Sequence, residues 1–284
     1  MSQPPTLAGW WPSTGLPLGL ALGANGSLYM PDEDFSVALR VLSRDGAPLD
    51  VFGFGAGFAG YGVALLSDQS VIVADYYGRR VQRSSSNGSL LSHWSTGGQR
   101  ALFLAVDQSD NVYVTDDEGD AVRKFSSQGA LLAQWTVMHP SGVAYVNGQV
   151  YVAEMFNGVV NIFTPSGVQQ GSFGTGCTWA EQLFFDGAGR LYLADHGLPQ
   201  LNCFGTDGTL LWTLGPSVAG YPHAVTDFFS VVVAQDGDLF AGDFANRNVL
   251  FFSPMSTYAT DQSFGALKSR YRGARGAAQP PQDR

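Results

Sequence analysis

Short apolar runs recur along the whole chain and are separated by glycine-rich turns. Many of these runs come in neighbouring pairs, such as YGVALL at residues 61–66 and SVIVAD at residues 70–75. Runs of this length, rich in Val, Ile and aromatic residues and bounded by Gly, Asn and Ser, predict β-strands. We find no segment with the apolar period of a helix of useful length, so the pattern predicts an all-β chain.

The strand pattern itself repeats. The second strand of each repeat ends in an acid, and the spacings between successive acids are 43, 41, 38, 41 and 48 residues for Asp32, Asp75, Asp116, Glu154, Asp195 and Asp243. A tight turn (RDG, SNG, SQG, PSG, TDG) follows each of the first five acids, and a large apolar residue stands six positions after each turn glycine. Four strands in a repeat of roughly 40–45 residues are typical of a propeller blade. The sequence therefore predicts an all-β, six-bladed β-propeller of four-stranded antiparallel blades.

Two segments share a closely similar pattern, GVALLSDQSVIVADYYGRRVQ at residues 62–82 and SGVAYVNGQVYVAEMFNGVVNIFTPSG at residues 141–167. This pattern resembles the NHL repeat. Both contain a Gly-Val-Ala strand, a turn and a second strand that ends in Ala and an acid, and Arg80 in the first segment keeps the arginine five residues after the acid. The resemblance extends over about residues 17–265. It implies the propeller fold and membership of a family whose propellers often stand behind RING and B-box modules in ubiquitin ligases.

The repeat divides the chain into three segments. We expect residues 1–11 to form a strand that closes the last blade, residues 12–265 to form the propeller, and residues 266–284 to form a basic, disordered tail. A strand from the other end of the chain removes an exposed sheet edge and ties the termini together. The segment YATDQSFG at residues 258–265 competes for the same position.

Charge and composition narrow the class of partner. The net charge is −9, and the chain has two cysteines, Cys177 and Cys203, and four histidines. An acidic body repels phosphate backbones, so we do not expect a nucleic-acid partner. The N-terminus lacks a basic region followed by an apolar run, and no apolar run approaches 18 residues. We therefore expect a soluble, intracellular protein with reduced thiols and no membrane contact.

One face of the predicted propeller is rich in acids and aromatic residues. The loops after the second strands and the connections between blades share this face, and they carry thirteen acids and one base, Arg100. The acids can cap the turns after the second strands, and together they can also attract a basic segment, so both interpretations stay open. Aromatic residues are enriched at binding hot spots but also act as wedges between blades. The predicted binding face consists of Asp75, Tyr77, Asp116, Asp117, Glu118, Glu154, Phe156, Trp179, Asp195, Tyr221, Asp243 and Phe244.

The leading functional hypothesis is a non-enzymatic scaffold that binds a protein or peptide with basic character and needs no cofactor. The alternative is a metal-dependent lyase or hydrolase, because His139, His196 and His223 fall on the same face. Peptidyl-amidoglycolate lyases, which resemble NHL proteins, hold a catalytic zinc with three histidines at the tunnel mouth, and gluconolactonase-type propellers bind calcium there. In those lyases a histidine directly follows a proline at the start of the innermost strand. His139 precedes its proline, and His223 stands upstream of that register.

Overall fold

The computed structural model describes residues 3–13, 15–31, 39–54 and 57–253. Within these residues, 24 strands form six four-stranded antiparallel sheets and there is no helix. The structure thus confirms the predicted six-bladed β-propeller. The predicted tail at 266–284, the competing segment at 258–265 and the first repeated acid, Asp32, lie outside the described residues.

The strands follow one another around the ring, four to a blade. The strands of the first three blades are β2 (Ala21–Leu22), β3 (Leu28–Pro31), β4 (Leu39–Leu42), β5 (Pro48–Phe52), β6 (Gly60–Leu65), β7 (Val71–Asp75), β8 (Arg80–Ser84), β9 (Leu90–Ser95), β10 (Leu104–Val106), β11 (Val112–Asp116), β12 (Ala121–Phe125) and β13 (Leu131–Thr136). The strands of the other three are β14 (Pro140–Val146), β15 (Gln149–Glu154), β16 (Val159–Phe163), β17 (Gln169–Gly174), β18 (Ala180–Phe185), β19 (Leu191–Asp195), β20 (Gln200–Phe204), β21 (Leu210–Leu214), β22 (Phe228–Val233), β23 (Leu239–Asp243), β24 (Asn248–Ser253) and β1 (Thr6–Pro12).

The N-terminal strand β1 is the outer strand of the sixth blade. The strand order in this blade is β1-β24-β23-β22, and β1 pairs antiparallel with β24 from Thr6 opposite Ser253 to Pro12 opposite Asn248. The blade is thus assembled from both ends of the described chain. Pairing of β24 with β1 leaves β24 without an open edge, which would otherwise invite association with another chain.

Neighbouring blades interlock through a glycine and an aromatic ring. Gly129, in the turn between β12 and β13, has φ +86, and a Cβ atom there would lie 2.6 Å from Cγ of Trp94 on the preceding blade. Only glycine satisfies both the positive φ and the close contact. The same pairing recurs in Gly46 with Trp11, Gly88 with Phe52, Gly167 with Trp135 and Gly208 with Phe173. This contact accounts for four of the large apolar residues that stand six positions after a turn glycine, namely Phe52, Trp94, Trp135 and Phe173.

Side chains of the inner strands meet across the centre of the ring of blades. The Oε1 atom of Gln182 on β18 accepts hydrogen bonds from the backbone N–H groups of Leu20 (3.1 Å) and Val231 (3.2 Å), and its Nε2 donates to the Leu20 carbonyl (2.9 Å). The rings of Phe103 and Phe229 lie 6.3 Å apart. A cavity of about 710 Å³ lies along the far ends of the inner strands and their hairpins, with Gln182 in its lining.

The blades bury their apolar side chains between one another. All five residues of β7 are buried, as are all five of β11 and β19, whereas the outer strands β9, β13 and β17 alternate or are largely exposed. This gradient is expected when inner strands are covered on both faces and the outermost strand meets solvent. Among the described residues, no helix has the length and apolar character needed to span a lipid bilayer.

Candidate functional site

Four of the repeated acids lie beneath the predicted binding face rather than on it. Asp75, Asp116, Asp195 and Asp243 are fully buried. The Oδ1 atom of Asp195 accepts hydrogen bonds from the N–H groups of Trp179 (3.1 Å), Gly197 (3.0 Å) and Leu198 (3.0 Å), and Oδ2 accepts one from Thr178 (3.1 Å). The carboxylate thus ties its own turn to the connection from the preceding blade.

Arginine side chains neutralise two of these buried acids. The Nε atom of Arg80 donates to Asp75 Oδ2 at 2.7 Å, and Nη1 of Arg123 donates to Asp116 Oδ2 at 2.6 Å. Burial alone would raise the pKa of Asp116, but the hydrogen bonds from Arg123 and three backbone N–H groups hold that pKa below its ordinary value. Each of these two acids is thus paired with an arginine beneath the surface and offers little unpaired charge to a partner.

Asp243 and Tyr221 form a separate buried unit. Tyr221, which is buried, donates to Asp243 Oδ2 at 2.8 Å and accepts from Asn248 Nδ2 at 2.6 Å. Burial raises the pKa of Asp243. Glu154 is half-buried and accepts from Asn157 Nδ2 (2.5 Å) and from another asparagine on β16. Asp243 and Tyr221 thus hold the sixth blade together, and a surface partner would meet other members of the predicted face.

The exposed members of the face are mainly aromatic. Tyr77, Phe156 and Trp179 are 53%, 51% and 40% exposed, respectively. Phe244 is half-buried, and the exposed Glu118 forms an ion pair of 2.6 Å with Arg100. Arg100 also lies over the ring of Tyr76. The face thus offers large apolar side chains whose nearest basic neighbour is already paired.

Five of these rings form a chain of edge contacts, which we call the aromatic arc. Its members are His139, Phe156, Trp179, His196 and Phe244, and the successive centroid distances are 5.5, 5.4, 4.9 and 6.0 Å. The arc runs from the loop before β14 to the loop after β23, and the ring of Phe229 on the inner strand β22 lies 5.2 Å from that of Phe244. Exposed rings in mutual contact form a preorganised apolar surface of the kind found at hot spots.

The three histidines predicted as metal ligands contact different partners. His139 has Nδ1 3.1 Å from the Asp117 carbonyl oxygen, His196 has Nδ1 3.5 Å from Asp227 Oδ2, and the ring of His223 packs 5.4 Å from that of Tyr221. Over residues 3–13, 15–31, 39–54 and 57–253, no three His, Cys, Asp or Glu side chains are grouped to hold a metal ion. The geometry thus does not bring the three histidines to one ion.

A polar group at the centre of the face has unsatisfied hydrogen-bonding atoms. We call Asp117, Glu181, His196 and Asp227 the tunnel-mouth cluster. Within the described residues, Asp117 Oδ1, Glu181 Oε2 and His196 Nδ1 are buried atoms without a hydrogen-bond partner. Burial, followed by the charges of Asp117, Asp195 and Asp227, raises the pKa of Glu181 well above its ordinary value. A hydrogen bond from the Trp179 side chain acts on this pKa in the opposite direction, so the Glu181 carboxyl has one partner within the face.

Glu181 stands out only when the inner strands are aligned. It is 3% exposed and occupies the position held in the other blades by Leu18, Tyr61, Leu102, Ser141 and Phe229. In the sequence it is one of thirteen acids assigned to the face, and no motif separates it from the others. An acid in a register that is otherwise mainly apolar is the signal that would have singled it out.

The fold is shared with solved propellers of different activities. A streptogramin B lyase matches with a TM-score of 0.65 and 11% identity over 83% of this chain and 78% of that chain. A virginiamycin B lyase from Staphylococcus aureus matches with a TM-score of 0.65 and 10% identity over 86% of this chain and 98% of that chain. The WD40 propeller domain of Doa1 matches with a TM-score of 0.66 and 12% identity over 85% and 80%. No family model and no curated protein matches the sequence. At these identities the likeness shows the fold alone.

Proposed function

We propose that this chain is a non-enzymatic, NHL-type propeller that binds a protein or peptide with basic character through the aromatic arc and the tunnel-mouth cluster. The observation that carries the proposal is the exposure of Phe156 and Trp179 at 51% and 40%, in edge contact. They lie next to the tunnel-mouth cluster, in which Asp117 Oδ1 and Glu181 Oε2 have no hydrogen-bond partner among the described residues. Aromatic side chains of this kind supply most of the binding energy at protein interfaces.

The charge of the face supports a basic partner. Arg80, Arg100 and Arg123 are each paired with an acid of the same face. Within the described residues, Glu181 and Asp227 form no ion pair with a lysine or arginine, and Glu181 accepts a hydrogen bond from Trp179 of the arc. A ligand that carries lysine or arginine next to an apolar residue would meet both the charge and the rings.

The proposal is tested with labelled peptides and fluorescence anisotropy. The probe is a short glycine-rich peptide with several lysines and phenylalanines, and its counterparts carry glutamate or glutamine in place of lysine. We expect the lysine peptide to bind, and Phe156→Ala to weaken it about fivefold or more, since a hot-spot side chain contributes at least ~1 kcal/mol. Leu132→Ala is the matched control, because Leu132 is 53% exposed but lies on the outer strand β13.

Two results would count against the proposal. If Phe156→Ala and Leu132→Ala bind the lysine peptide equally, the arc is not the binding surface. If the glutamate peptide binds as tightly as the lysine peptide, the acids do not select the partner. Circular dichroism of each variant shows whether the propeller has stayed folded.

A lyase or hydrolase with its site at the tunnel mouth is the second candidate. It is favoured by one observation, namely that His196 Nδ1 lies 3.5 Å from Asp227 Oδ2 in the same cluster as Glu181, whose pKa is raised. Such a pair of groups can exchange protons with a substrate. A zinc-dependent enzyme of this kind would need His139, His196 and His223 to coordinate one ion. Metal analysis of the purified protein, followed by thermal unfolding with zinc, calcium or EDTA, tests whether an ion binds at all.

A further inference from the structure

We propose that the cavity of about 710 Å³ along the inner strands, which we call the central cavity, binds a small neutral molecule that carries amide groups. Its volume is in the range that holds a drug-sized ligand. The cavity extends along the later parts of the inner strands and their hairpins, whereas Glu181 and Asp227 of the tunnel-mouth cluster stand where β18 and β22 begin. The proposed site is therefore separate from the partner-binding face.

The open edges of the inner strands line the central cavity. Each inner strand stands at the edge of its sheet, so every second residue turns its N–H and C=O groups away from the neighbouring strand. The N–H group of Gly23, for example, bonds to the Ser27 carbonyl at 2.9 Å in the hairpin, so the backbone groups of Leu22 point the other way. The same hairpin bond in other blades gives this orientation to further residues of the lining, namely Leu65, Val106, Phe185 and Val233.

The side-chain amide of Gln182 shows how an amide binds to these edges. Its Oε1 accepts from the N–H group of Leu20 at 3.1 Å, and its Nε2 donates to the carbonyl of the same residue at 2.9 Å. Oε1 also accepts from the N–H group of Val231 at 3.2 Å, so one amide joins the edges of two inner strands. Leu20 and Val231 stand two residues before Leu22 and Val233, on the same edges. A ligand with an N–H and a C=O group side by side can therefore make equivalent bonds further along, inside the cavity.

The side chains of the lining select a neutral molecule with some apolar surface. Among the described residues that line the cavity, the charged side chains are Arg44 and Asp236, which pair with each other at 2.8 Å. A charged ligand would lose its water without gaining an unpaired opposite charge. The remaining side chains of the lining are mainly leucine, valine, alanine and phenylalanine, which suit an aliphatic or aromatic group. A cyclic dipeptide combines neutral amides with such a group.

The experiment compares three small probes with matched side chains. The test probe is the cyclic dipeptide of glycine and leucine. Its N,N′-dimethyl form keeps the carbonyl groups but has no N–H donor, and linear glycyl-leucine carries a charge at each end. Binding to the full chain is measured by saturation-transfer difference NMR. We expect a Kd of about 1 mM for the cyclic dipeptide, as befits a ligand of this size, and at least tenfold weaker binding of both controls.

Two substitutions locate the binding site. Ala64 and Ala21 are half-buried residues of the lining in different blades, so Ala64→Met and Ala21→Met should each fill part of the cavity and weaken the cyclic dipeptide at least tenfold. Ala133→Met is the matched control, because Ala133 is half-buried on the outer strand β13 and should leave the affinity unchanged.

Three results would overturn the proposal. The first is no saturable binding of the cyclic dipeptide at concentrations tenfold above the expected Kd. The second is equal binding of the dimethyl form, which would show that the strand edges do not bind the ligand through its N–H groups; this comparison uses the unaltered protein and does not depend on whether a variant folds. The third is unchanged affinity in a cavity variant that circular dichroism shows to be folded.

Discussion

Replacement of Asp195 should destabilise the propeller, and the loss should be larger for alanine than for asparagine. Asp195→Ala leaves four N–H groups without their acceptor, those of Thr178, Trp179, Gly197 and Leu198. At about 1 kcal/mol each, the expected loss is ~4 kcal/mol in the free energy of unfolding. For a domain of this size that corresponds to a fall in Tm on the order of 10 °C.

Asp195→Asn should cost less, because one oxygen is kept. An amide oxygen in the place of Oδ1 retains three of the four hydrogen bonds, and the amide nitrogen then faces the Thr178 N–H, donor against donor. The expected loss is about 1–2 kcal/mol. Asp207→Ala is the control, since Asp207 is exposed and its hydrogen bonds among the described residues are to Thr209 in its own hairpin.

Urea unfolding followed by tryptophan fluorescence and far-ultraviolet circular dichroism measures all three variants. Asp207→Ala should be the most stable of the three variants, Asp195→Asn should be intermediate, and Asp195→Ala should be the least stable. If Asp195→Ala lies within about 1 kcal/mol of wild type, the N–H groups are satisfied in another way and the structural role of the acid is wrong. If Asp195→Asn is as damaging as Asp195→Ala, the charge rather than the hydrogen bonds is what stabilises the turn.

Three further predictions concern packing, burial and reactivity. Gly129→Ala and Gly148→Ala both replace a glycine at positive φ, but only Gly129→Ala puts a methyl group against a tryptophan. Gly129→Ala should therefore lower the free energy of unfolding by ~1–3 kcal/mol more than Gly148→Ala. Equal losses in urea unfolding would refute the contact between blades. Because burial raises the pKa of Glu181, wild type loses stability relative to Glu181→Gln as pH rises above about 4.5, and a stability difference that stays constant from pH 4 to 8 would contradict this. Burial raises the pKa of Cys177 and of Cys203 to about 12, so neither thiol should react with a disulfide reagent at pH 8 before unfolding; rapid reaction of the native protein would show that they are accessible.

The fold could be predicted from the sequence because the propeller repeats one physical requirement six times. Buried inner strands, an acid after the second strand and a glycine turn recur from blade to blade, so a chance match in one blade does not mislead the prediction. The spacing between turn glycines and large apolar residues is visible in the sequence, but the contact between blades that requires it is visible only in the structure. Gly129 and Trp135 are six residues apart because one stands in the hairpin and the other on the outer strand of the same blade. Each is needed for a contact with a neighbouring blade: Gly129 lies against Trp94, and Trp135 lies against Gly167.

The candidate site could be predicted only in part. The sequence places Asp116 and Asp117 next to each other on one loop, but only the structure shows that the first is buried against Arg123 while the second has an unpaired oxygen. Likewise, Glu181 and Asp227 are 46 residues apart in numbering and come together only because the fifth and sixth blades are adjacent. Burial and pairing of charges depend on contacts between blades, and a periodic sequence pattern does not contain them.

The central claim is that the acidic centre of this face binds a basic partner. The most direct measurement is the affinity of the labelled lysine peptide for wild type and for the charge-reversal variant Asp117→Lys/Glu118→Lys, by fluorescence anisotropy at low and at physiological salt. Glu118 is exposed and Asp117 is half-buried on the same loop, and circular dichroism shows whether the variant has kept its fold. The account predicts at least a tenfold loss of affinity, larger at low salt, since exposed charges are screened by ions. Unchanged affinity at both salt concentrations would contradict it.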